Sequence, residues 1–490
     1  MKLFTIGDSI SQGFMSFAAA RTELSYSTLI ARVLGLTPEV DYPLPTWHEG
    51  GLPLNLERLL RRLQSLYGAD IRGLLEWPRA LLTINGLVDD VEDHYERGSG
   101  NIARPQAGPT KAFPNSSCFG FTVADAWLLD PNWCLQQIRD GDEDDGLVSL
   151  PNKSLARAAH AVLNPSRHPA YGDRSQLKAL EQHVKEEGVE NLLLWLGSNN
   201  ALGTVTRLKL NETPNDPNQR MHVRSVQERD SYNLWHPDDF KAEYEELLNQ
   251  VSTLMGQNKH QDWRVFIGNV PAVSIAPLCK GIGAEKECED PFGVLGNKAR
   301  YFENYTYVIF GSDFARRTGL GLTRDQVLKI DGYISEYNKI IANLIQAANG
   351  RLGKERYFLV DISSCLLKLA YRRNNGQPTY PLPPELARAR YKPNTMYYHA
   401  DRNGQMQQGG FVSLDGVHPS AIGQGVLALE FLKVMEAAGA PGAKASALDW
   451  NAIIASDTLY TNPIALMGEL YDNSRLAEFL VDVMRRVDNM

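Results

Sequence analysis

Short apolar runs recur along this chain with segments of helical period between them, and that alternation narrows the folds open to it more than any other feature. Five runs read as strands: KLFTIG at 2–7, ALLTI at 80–84, NLLLWLG at 191–197, WRVFIGNV at 263–270 and RYFLVDI at 356–362. Within them apolar residues follow one another without regular alternation. A strand of that kind is buried on both faces, the condition of a parallel sheet with helices on either side. Helical patterns fill the intervals: YSTLIARVLGL after the first run, PDDFKAEYEELLNQVSTLM before the fourth, and IDGYISEYNKIIANLIQAANG before the fifth, closed by Gly350. HPSAIGQGVLALEFLKVMEAAG ends the series, with Pro419 expected in its first turn, where a missing N–H is harmless. The expectation is an α/β fold around a mostly parallel sheet.

The core is expected to occupy 1–437, enlarged by insertions near 41–112, 201–240, 273–325 and 370–410, where Pro, Gly, Asn and charge accumulate. Residues 438–490 read as a helical extension, docked on the core or joining two copies. No internal repeat is present. Fifty basic against 58 acidic residues leave a net charge of −8, and no basic stripe runs along any segment. Phosphate neutralisation needs clustered Lys and Arg, so the balance argues against a nucleic-acid partner and for a small molecule. The five cysteines include no C-x-x-C pair and read as reduced thiols; Cys279 and Cys288 are close enough in sequence to pair only if oxidised. The polar Gly7-Asp8-Ser9 leaves no room for a secretory leader's apolar stretch, and no apolar run is long enough to span a membrane. A cytoplasmic protein without a stable membrane anchor is expected.

In open parallel sheets ligands bind beyond the carboxyl ends of the strands, so the residues delivered there are the candidates for chemistry. The first strand delivers Gly7, Asp8 and Ser9, and the third delivers Gly197, Ser198, Asn199 and Asn200. Asp415 and His418 stand in SLDGVHPS, directly ahead of the last core helix. A hydroxyl to attack, an imidazole to take its proton, a carboxylate to fix the imidazole tautomer and an amide to donate to an oxyanion are the parts of acyl transfer. The spacing in DGVH suits a loop that turns back, so that Asp415 accepts from one ring nitrogen while the other faces Ser9. Asp8 is expected to fix the turn through backbone N–H groups.

These segments resemble the GDSL type of the SGNH hydrolase family, serine esterases and lipases built on an α/β/α sandwich. The family's Gly-Asp-Ser-Leu stands here as Gly7-Asp8-Ser9-Ile10, and its Asp-x-x-His-Pro is intact as Asp415 to Pro419. Its Gly-x-Asn-Asp reads Gly197-Ser198-Asn199-Asn200, with Asn in place of the final Asp. The resemblance implies Ser9 as nucleophile, His418 as general base and Asp415 as its orienting partner. It implies an oxyanion hole from the backbone N–H of Ser9, the Asn199 side chain and the backbone N–H of a glycine. Gly120, in NSSCFGFTVADAW, fits that glycine, and Gly86, in LLTINGLVDD, is its rival. The implied substrate is a small-molecule ester, and the implied fold is a three-layer α/β/α sandwich.

No cofactor or metal is expected. The acidic RDGDEDDG at 139–146 lacks the Gly and the bidentate Glu that a calcium loop places at fixed positions, and no histidine pair has zinc-site spacing. Two other functions fit the same residues: acyl transfer to an alcohol or amine on the same triad, and a binding protein on a degenerate hydrolase fold. Aromatics in CEDPFGVLGNKARYFENYTYVIFG and YKPNTMYYHADRNGQ are expected as walls or lid of the substrate site.

Overall fold

The computed structural model describes residues 1–38, 40–71, 73–104, 108–139, 150–308, 310 and 321–467. Four of the five expected strands form one parallel sheet: β1 (Leu3–Gly7), β2 (Asn191–Trp195), β3 (Arg264–Gly268) and β4 (Tyr357–Val360), side by side in that order. Alternate residues of each strand enter different cores, as the period of two requires. Phe4, Ile6, Leu192, Leu194, Val265 and Ile267 pack in a cluster with α3 (Gln176–Glu186), α5 (Pro237–Gly256) and α6 (Arg324–Leu352). Leu3, Leu193, Trp195, Phe266 and Val360 pack in another with α2 (Tyr26–Val33) and α7 (Ala421–Ala437). Helices therefore cover both faces, and the unbroken apolar runs follow from that.

The expected strand at 80–84 is instead part of a helix, Gly73–Glu92. Its buried apolar residues are Trp77, Ala80, Ile84, Val88 and Val91, spaced three and four apart, while Leu81 and Leu82 are 45% and 71% exposed. One apolar stripe on a longer helix outweighs a five-residue run. The free edge of β1 is taken by the extended segment 114–118. There the Thr5 N–H donates to Pro114 O at 2.8 Å, the Ser116 N–H to Thr5 O at 3.0 Å and the Cys118 N–H to Gly7 O at 3.2 Å. This pairing carries residues 119–121 to the carboxyl end of β1, beside Ser9.

Two helix ends differ from expectation by a few residues. Gly350 lies inside α6, which runs on to a left-handed Gly353 (φ 63°), and Ser420 caps α7, which places Pro419 just outside the helix. The insertion at 273–325 contains an antiparallel hairpin, Cys279–Glu289 with Lys298–Tyr307, that local sequence pattern did not announce. Cys279 and Cys288 sit near opposite ends of its first strand, roughly 25–30 Å apart at strand rise, and both are free thiols. The extension is docked over its described part: Leu448, Trp450 and Ile453 belong to the same core cluster as α7, and Asp457 accepts from the Ile422 N–H at 2.9 Å. Most of the acidic 139–146 segment lies outside the described residues. Among the described residues no helix is long and apolar enough to cross a membrane.

Candidate active site

β1 ends at Gly7, Asp8 caps the short helix α1 (Ser9–Gln12), and Ser9 is that helix's first residue. A first-turn N–H has no partner inside its own helix, so the Ser9 N–H stays available while its hydroxyl stands at the sheet's carboxyl edge. The Asp415 loop reaches it from the far end of the chain. That loop is closed at its base, where the Ser413 N–H donates to His418 O at 2.8 Å, and it turns at Gly416, whose φ of 70° favours glycine. A Cβ there would also come within 2.9 Å of the Leu278 nitrogen, which donates to Gly416 O.

The two segments meet at the imidazole. His418 Nε2 lies 2.9 Å from Ser9 Oγ, across 409 positions of sequence, and His418 Nδ1 lies 3.1 Å from Asp415 Oδ2. Phe14 packs against the ring with 4.7 Å between centroids. Asp415 is buried, and its other contacts are backbone donors: Val417 N–H at 2.9 Å, His418 N–H at 2.8 Å and Phe17 N–H at 3.2 Å. Burial alone would raise its pKa, but the His418 ring and these hydrogen bonds outweigh it and hold the carboxyl below its ordinary value. Phe17 can donate because Ser16 and Phe17 both adopt left-handed backbone (φ 52° and 63°), pinned where the Ser16 N–H donates to Ser413 Oγ at 2.9 Å. No local sequence signal marks this clamp, since neither residue favours that conformation.

Gly120 lines the same cleft at a φ of 79°, and a Cβ on it would collide with Leu155 Cδ1 at 2.6 Å. Its neighbours are anchored from several sides. Gln12 of α1 accepts from the Phe119 N–H at 2.9 Å, and Asn199, first residue of α4 (Asn199–Thr206), donates one Nδ2 hydrogen to Phe121 O at 2.8 Å. The amide's second hydrogen remains for another acceptor. Ser9, Gly120 and Asn199 thus line one cleft. Gly86 lies on the helix Gly73–Glu92, outside that lining.

Asn200, where the family motif has Asp, is wholly buried and points away from the cleft. Its Oδ1 accepts from the Val123 N–H at 3.2 Å and its Nδ2 donates to Glu243 at 3.2 Å. Arg229 completes this network, bonded to Glu243 at 3.0 Å and to the Thr122 hydroxyl at 2.7 Å. The group holds 122–125, directly after the Gly120 turn. Gln12 and Arg229 were missed from sequence; their only signal was polar character at positions the fold buries.

The cleft walls also differ from expectation. Aromatic lining comes from Phe14, Phe17, Phe119, Trp133, Tyr232 and Trp235, none of them in the two aromatic segments singled out above. The first of them supplies the turn and second strand of the 279–307 hairpin, and in the second His399–Ala400 pairs with Met406–Gln408.

Asp8 does cap the turn as expected, accepting from the Ile10 N–H at 3.1 Å, but its Oδ2 is buried without a partner. Burial pushes its pKa up to about 7, only partly offset by the Ile10 N–H and the His418 ring. The folded chain therefore keeps this proton up to about pH 7, whereas the unfolded chain releases it near 3.8. Between those values the folded state binds more protons, so this group lowers stability as pH rises. Asp8→Asn removes the effect. Its stability relative to wild type is expected to rise by about 4 kcal/mol between pH 4 and pH 8, as read by urea unfolding; a pH-independent difference would contradict this.

Among the described residues no group of three or more His, Cys, Asp or Glu side chains is placed to hold a metal ion. Compared with known proteins, the chain matches no family model, no curated protein and no solved structure.

Proposed function

We propose that this chain is a serine ester hydrolase of the SGNH type, its sheet and two helical layers forming that family's three-layer α/β/α sandwich. The observation that carries the reading is the continuous chain from Ser9 Oγ through the His418 ring to Asp415, at 2.9 and 3.1 Å. Ser9 Oγ attacks the ester carbonyl and its proton passes to His418 Nε2. The tetrahedral oxyanion faces donors from Ser9, Gly120 and Asn199. Collapse breaks the bond to the alcohol oxygen, which takes the proton from His418 and leaves. Water then repeats the sequence on the acyl-Ser9 ester, releasing the acid and restoring the enzyme. Asp415 holds Nδ1 protonated throughout, which keeps Nε2 free to accept.

The test is hydrolysis of a panel of aryl esters by wild type and Ser9→Ala, with and without chelator. Chelator-insensitive turnover that Ser9→Ala abolishes is expected. Equal rates for the two proteins would exclude Ser9 as nucleophile.

The oxyanion assignment makes a separate prediction. A donor that acts on the transition state affects kcat more than KM, so Asn199→Ala is expected to lower kcat roughly 10² to 10³-fold with KM little changed. Asn200→Ala should instead cost about 2–4 kcal/mol of stability, because it strands the Val123 N–H and a Glu243 oxygen in the interior. A change in KM alone at Asn199 would remove that residue from the oxyanion hole.

A further inference from the structure

Two cavities of unlike chemistry meet at the Ser9–His418 pair. The first is the cleft already described, about 390 Å³, which carries Lys153, Arg207 and Asp230 beside its aromatic residues. The second, about 100 Å³, lies on the other side of Leu202 and Val417 and is walled by Ala272, Ile275, Ala276, Leu366, Val426 and similar side chains. Among the described residues no Asp, Glu, Lys or Arg side chain lines it, and His418 stands at its mouth. Among the side-chain polar groups of its described residues, the Thr395 hydroxyl is already bonded to Leu369 O and the Tyr371 N–H, and the Ser198 hydroxyl is unpaired.

Resting on the ester hydrolase reading, we propose that the second cavity is the acyl slot and that the substrate is a short, straight-chain acyl ester of a hydrophilic alcohol. A tetrahedral centre on Ser9 has two organic substituents to place, and each cavity opens on Ser9. A hydroxyl-rich or charged group in the narrow slot would lose its water and find almost no partner there. An alkyl chain loses nothing by entering it. The wide cleft offers cations, carboxylates and amides that can replace the water around a polar alcohol. Size sets the length: an apolar cavity of about 150 Å³ takes benzene, six carbons, so about 100 Å³ takes a chain of about four. Each methylene that enters the slot should raise kcat/KM about fourfold, so butyrate should exceed acetate by about fifteenfold.

The experiment measures kcat/KM for p-nitrophenyl esters from two to twelve carbons on wild type, Ala276→Phe and Leu366→Ala, and compares 1-monobutyrin with hexyl butyrate on wild type. Fluorophosphonate labelling of Ser9 is run on the same samples. Wild type is expected to peak near four carbons and to lose at least tenfold by ten. Ala276→Phe should lower butyrate turnover at least tenfold while acetate stays within threefold, and Leu366→Ala should move the peak to longer chains. Monobutyrin should be preferred to hexyl butyrate at least tenfold. A wild-type rate that climbs steadily to twelve carbons, or a preference for the hexyl ester, overturns the proposal even if one variant fails to fold. If Ser9 is labelled and acetate is cleaved, only the slot assignment falls in that case. If Ser9 is unlabelled and no ester is cleaved, the hydrolase reading falls with it.

Discussion

His418→Ala is expected to reduce ester turnover by about 10⁶, as loss of the general base does in serine hydrolases, while the protein stays folded. Among the described residues the imidazole is the only group bonded to Ser9 Oγ, so without it the hydroxyl keeps its proton and attacks poorly. The fold should tolerate the change because Asp415, left buried, retains three backbone donors from Phe17, Val417 and His418. A stability loss of about 1.5–3 kcal/mol follows from losing one charged hydrogen bond of four. Parallel measurement of kcat and thermal unfolding checks both halves. A variant that unfolds near ambient temperature would make His418 a structural residue.

Asp415→Asn is expected to cost about 10⁴ in kcat through the tautomer. An amide nitrogen at the Oδ2 position donates to Nδ1, which drives the ring proton onto Nε2 and blocks acceptance from Ser9. The same nitrogen would face the Phe17 N–H, donor against donor, across a contact of 3.2 Å. Some stability is therefore lost as well, because the left-handed Ser16-Phe17 turn loses its acceptor. The pH profile separates the two effects: a tautomer fault leaves low activity that rises with pH, while simple loosening lowers it evenly. Near wild-type kcat would mean that another acceptor orients His418.

How much of this could be read from the sequence depended on whether a signal was local. Ser9, Asp415 and His418 stand in short contiguous segments that a motif can pick out, and the structure brings the three together. Strands β1 to β4 could be read because burial on both faces leaves an apolar run with few interpretations. The run at 80–84 failed on the same criterion, since five apolar residues also fit a helix whose stripe extends from Trp77 to Val91. What holds the site was not readable at all. The Phe17 N–H on Asp415, the Gln12 carbonyl on Phe119 and the Arg229–Glu243 pair under the Gly120 turn are long-range contacts through common residue types. Asn200 shows the same limit: its departure from the family's Asp was visible, but its buried role between Val123 and Glu243 was not.

In the proposed reaction Ser9 Oγ is the atom that receives the acyl group. Incubation with a fluorophosphonate, followed by peptide mass mapping of wild type and His418→Ala, tests it most directly. One phosphonyl adduct on Ser9 in wild type, lost or greatly slowed in the variant, is the result expected. An adduct on another residue, or ester turnover that persists in wild type with Ser9 unmodified after prolonged exposure, would contradict the account.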